Sequence, residues 1–302
     1  SAALQAHKLA PLLMPKRVAL VGASPKEGTV GNGMIVAATM GEPVAEVVLI
    51  NPNYPQIGER TAYPTLREAP GPIDMAMLGV SNERLEAAVH DAIAAGVKAL
   101  TIFASGYLDN DPAPRLTARI GAMAREAGIQ ICGGNCMGFY NLSYGLRVCG
   151  FPPPPWMRKG GAVLLTHSGS VYSGICHNDK RMGWALAVSA GQEMTTTVAD
   201  YLDFALEMPE THCIGLFLET VRDPANFVAG LEKARERDIP VIALKVGKTA
   251  ASAAKAVSHS GAIAGNHAAY AALFDRHNVI EVETLDDFAN ALRLYSGPRR
   301  LA

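Results

Sequence analysis

Short apolar runs alternate with amphipathic stretches along nearly all of the 302 residues. In the first half of the chain, we expect strands at residues 17–23, 46–51, 75–80, 99–104 and 129–132. Helices are expected between them, including 83–95 and 112–127. Leu85, Val89 and Ile93 recur at helical spacing and predict one buried helix face. Strands that alternate with helices predict a parallel sheet with right-handed crossovers.

Four consecutive prolines, Pro152 to Pro155, interrupt this alternation. Such a run cannot continue a helix or a central strand, so we interpret it as a stiff connector between domains. Strands are expected again at residues 162–166, 186–189, 213–219, 241–246 and 279–282, and helices at 198–207, 225–237 and 268–277. The length and this repeated pattern predict two successive open α/β domains, residues 1–150 and 151–302.

The composition excludes several classes of function. The net charge of −1 gives no electrostatic footprint for nucleic acid or for a membrane surface. No apolar run approaches the roughly 18 residues that a membrane span needs, so we expect a soluble cytoplasmic protein. The five cysteines form no disulfide framework, and Cys132 and Cys136 lack the second pair of a zinc site. We therefore expect a reducing compartment and no metal site.

A glycine-rich loop, residues 22–31, follows the first predicted strand. Its glycines let backbone N–H groups approach a phosphate, and the start of the next helix favours an anion. The spacing is not G-x-G-x-x-G, and a glycine-rich first turn also serves packing alone. After the second strand, Asn51 stands where a NAD site usually has an acid that binds the ribose hydroxyls. The pattern favours a nucleotide-like ligand and weakens the prediction of NAD.

Small and polar residues follow later strands of the first domain, at 79–82, 103–106 and 134–138. They are expected at the carboxyl ends of the strands, where open α/β domains bind ligands. Together with Gly22-Ala23-Ser24 and Asn51-Pro52, this succession resembles the CoA-binding domain of the NDP-forming acyl-CoA synthetases, the family of the succinyl-CoA synthetase α chain.

The resemblance implies a Rossmann-like domain whose loops hold the phosphates and the pantetheine arm of coenzyme A. The residues that it implies for CoA binding are Gly22, Ser24, Lys26, Gly28, Pro52, Val80, Ser81, Ser105, Gly106 and Asn135. This chain has Gly134 where members often have Pro, and Asn53 where many have a basic residue. We interpret Cys136 as a buried small side chain, not as a nucleophile.

In the second domain, Ser168, Gly169 and Ser170 follow a predicted strand and begin a predicted helix. Serine suits the N-cap, and the free N–H groups of such a helix end could bind phosphate, although an ordinary capped helix explains the residues equally well. The segment lacks the first glycine of the G-x-S-x-G motif of serine hydrolases. Glu219 directly follows another strand, as either a solvated carboxylate or a group that orients a histidine.

His259 lies in the segment Val257-Ser-His-Ser-Gly-Ala-Ile-Ala-Gly265. A histidine between serines and glycines is poorly explained as core filling, and neutral imidazole is nucleophilic near pH 7. Residues 245–249 and 258–262 resemble the phosphohistidine segment of the same family, whose ligase domain is flavodoxin-like with a parallel sheet. The resemblance implies His259 and Glu219 as catalytic residues, and Ser168, Gly169, Ser170 and Gly261 as phosphate-binding residues. His167 stands where Gln is usual: it either changes the acyl or phosphate pocket or has no chemical role.

The implied reaction converts an acid, CoA and a nucleoside triphosphate to acyl-CoA, the diphosphate and phosphate, through an acyl phosphate. The acid would be acetate, another short organic acid or an aromatic acid. Residues 245–249 lack the pattern of a nucleotide P-loop. The resemblance places ATP or ADP with Mg²⁺ on an ATP-grasp partner, either a β subunit or a fused domain. We therefore expect residues 1–302 to be an α subunit or a fragment of a longer enzyme, and to form an oligomer.

Two alternatives remain open at this stage. One is a regulatory protein that binds CoA or acyl-CoA without catalysis. The other is a NAD-dependent oxidoreductase, which Asn51 disfavours and which gives no reason for Ser258-His259. Phosphorylation of His259 distinguishes the synthetase from the regulatory protein.

Overall fold

The computed structural model describes residues 1–247 and 267–297. These residues form two compact units. The N-terminal unit comprises residues 5–155 and 193–196, and the C-terminal unit comprises residues 1–4, 156–192 and those from 197 onward. His259 and Gly261 lie outside the described residues.

The N-terminal unit contains a seven-stranded sheet in the order β3-β4-β2-β1-β5-β6-β7. All its pairings are parallel except β3 with β4, which is antiparallel. A short antiparallel hairpin, β8 and β9, follows in the chain. From the start of the chain, the elements are α1 Ala2–Ala6, α2 Ala10–Leu13, β1 Arg17–Val21, α3 Val30–Thr39, β2 Glu46–Ile50, β3 Gln56–Ile57, β4 Arg60–Tyr63, β5 Met75–Leu78, α4 Asn82–Ala94, β6 Ala99–Ile102, α5 Leu116–Ala127, β7 Gln130–Gly133, β8 Gly138–Asn141 and β9 Leu146–Val148.

Burial explains why these segments form a parallel sheet. Every residue of β5 and β6 is buried, as expected for strands that are covered on both faces. Helix α4 buries Leu85, Val89 and Ala92, which lie on one face and pack in the same core as those strands. All five strands predicted for this unit are present, and four of them end one or two residues earlier than predicted.

Helix α5 begins at Leu116, four residues later than predicted. Pro114 disfavours helical backbone at the residue before it, so the helix cannot start within the proline-containing segment. Instead, the Asp111 carboxylate accepts a hydrogen bond from the Leu116 N–H at 2.8 Å. The predicted start at residue 112 was therefore wrong.

In the C-terminal unit, five strands pair in parallel in the order β14-β13-β12-β10-β11. The elements are β10 Arg158–Thr166, α6 Gly169–Cys176, β11 Gly183–Ser189, α7 Val198–Glu207, β12 Cys213–Leu218, α8 Pro224–Glu236, β13 Val241–Lys245, α9 His267–Arg276, β14 Ile280–Glu281 and α10 Leu285–Tyr295.

The two parallel sheets with their helices confirm the predicted class, a Rossmann-like domain followed by a flavodoxin-like domain. Within the described ranges, no helix is long and apolar enough to cross a membrane. The five cysteines are all buried free thiols.

Helix α10 packs against β12 at a glycine. Phe288 and Leu292 are fully buried, and a Cβ atom at Gly215 would lie 3.0 Å from Phe288 Cζ. Leu294, on the same helix, is 76% exposed. The side chains of Leu292 and Phe288 therefore fill the space that Gly215 leaves above the sheet.

We expect Phe288→Ala to destabilise the C-terminal unit by about 3–5 kcal/mol, because it leaves a cavity under α10. Both tryptophans, Trp156 and Trp184, belong to this unit, so tryptophan fluorescence during urea unfolding reports on it selectively. The matched control, Leu294→Ala, should change stability by no more than about 0.5 kcal/mol. Equal stability of the two variants would contradict this packing.

Candidate functional site

The carboxyl ends of the parallel strands in the N-terminal unit carry most of the predicted binding residues. Strand β1 pairs with β2 on one side and with β5 on the other. The direction in which successive strands are added to the sheet therefore reverses beside β1. Ligands of open α/β sheets bind outside the carboxyl ends of the strands at such a point. The loops that follow β1, β5, β6 and β7 lie at this edge.

The loop after β1 and the loop after β5 are in direct contact. Gly22 has φ +90°, and a Cβ atom there would lie 2.5 Å from the carbonyl oxygen of Gly79. Only glycine combines this backbone conformation with such a close approach. The predicted residue Val80 follows Gly79 and is half-buried.

The loop between β1 and α3 is held by its own polar side chains. Thr29 Oγ1 accepts from the Asn32 N–H at 3.2 Å and donates to the Lys26 carbonyl at 2.6 Å. Asn32 Nδ2 donates to the Ser24 carbonyl at 3.2 Å. Lys26 and Gly28 are exposed, next to the first N–H groups of α3, which have no partner within the helix. This donor set of backbone N–H groups and one ammonium fits a phosphate.

Asn51 stabilises the same loop through hydrogen bonds to the main chain. Its Nδ2 donates to the Ala23 carbonyl at 2.8 Å, and its Oδ1 accepts from the Asn53 N–H at 2.9 Å. The amide atoms of Asn51, which stands in place of the acid of a NAD site, are therefore already hydrogen-bonded to the main chain. Pro52, the next predicted residue, is exposed.

Asn82 joins two other loops, and sequence reasoning did not include it among the site residues. Its Nδ2 lies 3.2 Å from Ser105 Oγ, and its Oδ1 accepts from the Gly106 N–H at 2.8 Å. Ser81 is the N-cap of α4 and makes no side-chain capping bond. Asn135 has φ +49°, and its N–H donates to the carbonyl of Ala104 at 2.9 Å. The structure thus connects the predicted positions after β5, β6 and β7.

Cys136 is buried at 8% exposure, and its Sγ lies 3.3 Å from the Ile102 carbonyl. A hydrogen bond with Cys132 and burial raise the pKa of the Cys136 thiol well above its usual value. A thiol that stays protonated is a poor nucleophile. These observations favour the interpretation of Cys136 as a packing residue.

In the C-terminal unit, Ser168 is the N-cap of α6. Its Oγ accepts from the Val171 N–H at 3.3 Å, and its own N–H donates to Thr166 Oγ1 at 2.9 Å. Gly169 and Ser170 occupy the first two positions of the helix, and Ser170 is exposed. The Ser168 hydroxyl is therefore a cap, and the N–H groups of Gly169 and Ser170 are the donors that could face an anion.

Glu219 directly follows β12 and is only 6% exposed, so it is not an ordinary solvated carboxylate. His167, which follows β10, is 3% exposed. Its Nδ1 accepts from the Glu219 N–H at 3.1 Å. Because Nδ1 is the acceptor, the neutral ring carries its proton on Nε2. His167 thus holds the main chain of the residue that the sequence predicted to orient a histidine.

Two family models match the two halves of the chain. A CoA binding domain matches residues 16–141, and a succinyl-CoA ligase like flavodoxin domain matches residues 159–295. The chain therefore joins a CoA binding domain to a succinyl-CoA ligase like flavodoxin domain, the two domains that its resemblance to the NDP-forming acyl-CoA synthetases leads us to expect.

Two named relatives are similar to almost the whole chain. The chain is 30% identical, over 96% of its length, to acetate–CoA ligase [ADP-forming] I of Archaeoglobus fulgidus and covers 43% of it. It is 26% identical, over 94% of its length, to the α subunit of acetate–CoA ligase [ADP-forming] II of Pyrococcus furiosus and covers 62% of it. The chain therefore spans less than two thirds of either relative.

A solved structure has the same fold. It is an acetyl-coenzyme A synthetase 1 from Ca. Korarchaeum cryptofilum, in complex with phosphate and ADP, and it matches with a TM-score of 0.88. The match covers 95% of this chain and 62% of that one, at 24% sequence identity. At this identity, the likeness supports the fold alone.

The bridge that Asn82 makes can be tested without a ligand. In Asn82→Ala, the Gly106 N–H loses its acceptor, at a cost of about 1 kcal/mol, so its hydrogen exchange should accelerate roughly fivefold. Asn82→Asp keeps an acceptor for Gly106 and can accept from the Ser105 hydroxyl, so exchange should stay close to that of the wild type. Unchanged exchange in Asn82→Ala would show that another group protects Gly106.

Proposed function

We propose that this chain is the CoA-binding, phosphohistidine-bearing part of an NDP-forming acyl-CoA synthetase. Residues 1–150 would form the CoA-binding domain and residues 151–302 the ligase domain. Its relatives named ADP-forming acetate–CoA ligases support this assignment. The strongest observation in the molecule itself is Glu219, a buried carboxylate at the end of a parallel strand. Its main chain is fixed by His167, which follows a neighbouring strand.

In the proposed reaction, a ring nitrogen of His259 takes the γ-phosphoryl group of ATP and ADP leaves. A carboxylate oxygen of the acid then takes the group from His259, and the thiolate of CoA displaces phosphate from the acyl phosphate. Glu219 would orient the imidazole of His259 and stabilise its charged form. The N–H groups of Gly169 and Ser170, together with Gly261, would hold the phosphoryl oxygens.

The nucleotide requires a partner in this proposal. The chain covers 43% of one relative and 62% of another, which is an α subunit by name. We propose an ATP-grasp β subunit or fused domain that carries ATP or ADP with Mg²⁺, in an oligomeric enzyme that acts on a small carboxylic acid. The five buried free thiols support a reducing, cytoplasmic location.

The first test concerns the ligand of the N-terminal unit. Calorimetry should detect CoA binding and no NAD binding, because the glycine-rich loop offers phosphate donors while Asn51 is occupied by Ala23 and Asn53. Lys26→Ala should weaken CoA binding about threefold to tenfold through the loss of one exposed charge. The matched control is Lys98→Ala, since Lys98 immediately precedes β6, at the amino end of the strand, and pairs with Asp74. Micromolar binding of NAD without binding of CoA would overturn the assignment.

The second test concerns His259. With [γ-³²P]ATP and the ATP-grasp partner, the chain should acquire an acid-labile, base-stable label, and without the partner it should acquire none. His259→Ala should abolish the label and leave CoA affinity unchanged, because the predicted CoA site lies in the other unit.

Glu219→Gln should slow labelling without unfolding the C-terminal unit, because the amide keeps the size of the carboxylate but not its charge. Undiminished labelling of His259→Ala would exclude His259 as the acceptor. Binding of CoA with no label under any condition would favour the regulatory protein instead.

A further inference from the structure

Lys245, the last residue of β13, is a buried lysine at 2% exposure. Its Nζ donates to the Glu219 carbonyl at 2.8 Å and to the Val246 carbonyl at 2.6 Å. The same Nζ lies 4.8 Å from the ring centroid of Tyr270 on α9. The ammonium is therefore held by two carbonyl dipoles and one aromatic face.

Glu219 is consequently held at both ends of its main chain. Its N–H donates to His167 Nδ1 at 3.1 Å, and its carbonyl accepts from Lys245 Nζ. Two residues later, the Val221 N–H donates to Tyr270 Oη at 3.1 Å. The phenol of Tyr270 is protonated at neutral pH, and burial raises its pKa further above the usual value. The side chain that follows β10, the side chain of the last residue of β13 and one side chain on α9 thus fix the segment 219–221.

Burying an ammonium carries a desolvation cost that an apolar side chain would avoid, so fold stability alone gives weak reason for Lys245. One hydrogen bond of Lys245 goes to the residue that carries the buried carboxylate, and Tyr270, whose ring lies beside the ammonium, bonds to the Val221 N–H two residues further on. A main chain that is held through both its N–H and its carbonyl fixes the Cα–Cβ direction of Glu219, from which the buried carboxylate extends. Such preorganisation favours charge stabilisation in a transition state.

We propose that Lys245 is a positioning residue for Glu219 in phosphoryl transfer to and from His259, and that His167 shares this role through the Glu219 N–H. The proposal rests on the proposed function, in which Glu219 orients His259. Lys245 acts through the Glu219 carbonyl, and no contact between Lys245 and substrate is required.

The test measures the rate of [γ-³²P]ATP labelling of the chain in complex with its ATP-grasp partner. Lys245→Met keeps the length of the side chain and removes the donor, and it should slow labelling roughly tenfold or more, with little change in KM for ATP. If Lys245 acts through Glu219, then Lys245→Met added to Glu219→Gln should slow labelling little further. A merely structural role would make the two losses multiply.

Lys233→Met is the matched control. Lys233 is also a paired lysine of the C-terminal unit, with ion pairs to Asp203 and Glu207. It lies in the last turn of α8, which leads to the amino end of β13, whereas Lys245 lies at the carboxyl end of that strand. Its loss should leave the labelling rate unchanged. CoA affinity, measured by calorimetry, should stay at the wild-type value in every variant.

His167 provides a second route to the same conclusion if Lys245→Met does not fold. His167→Ala removes the acceptor of the Glu219 N–H and should slow labelling. His167→Asn places an amide oxygen near the position of Nδ1 and should recover most of the rate.

The outcomes separate the two hypotheses. Absence of label in the wild-type complex would refute the proposed function. If the wild type is labelled, two results would refute the positioning role alone. One is a wild-type labelling rate in Lys245→Met or His167→Ala. The other is a rate loss that multiplies fully when either change is combined with Glu219→Gln.

Discussion

Parallel strand pairing is the constraint on which the rest of the structure depends. In the N-terminal unit β1 lies between β2 and β5, and in the C-terminal unit β10 lies between β11 and β12. Since these strands run in the same direction, their carboxyl ends meet at one edge of each sheet, and residues distant in sequence become neighbours there. The ladder of hydrogen bonds also stops at that edge, so the buried main-chain groups just beyond it need other partners.

Side chains supply those partners in both units. Asn51 and Asn82 bond to the main chain of neighbouring loops in the N-terminal unit. His167 and Lys245 do the same for Glu219 in the C-terminal unit. In this chain, polar residues that follow buried strands therefore hold neighbouring loops through hydrogen bonds to the main chain. This explains how Asn51 can occupy the position of a ribose-binding acid while its side chain bonds to the protein itself.

The sequence was sufficient to predict the sheets and the carboxyl ends of their main strands, because strands that are buried on both faces form apolar runs whose ends can be recognised. Thus the strand before Glu219 was predicted to within one residue. The pairs of short strands β3–β4 and β8–β9 were missed, since they contain too few residues for a periodic pattern. The bridges of Asn82 and Lys245 could not be predicted, because they join residues 23 and 26 positions apart and depend on which strands become neighbours.

Different kinds of side chain hold the loops in the two units. The difference follows from which hydrogen bonds each side chain can donate and accept. A carboxamide both donates and accepts, so Asn82 can accept from the Gly106 N–H and also bond the Ser105 hydroxyl without a buried charge. An ammonium only donates, and its burial requires several acceptors, which Lys245 finds in two carbonyls and the ring of Tyr270. Because one of these acceptors is the Glu219 carbonyl, a shift of the Glu219 main chain would remove a hydrogen bond from a buried ammonium. The main chain that carries the buried carboxylate of Glu219 is thereby held in one position.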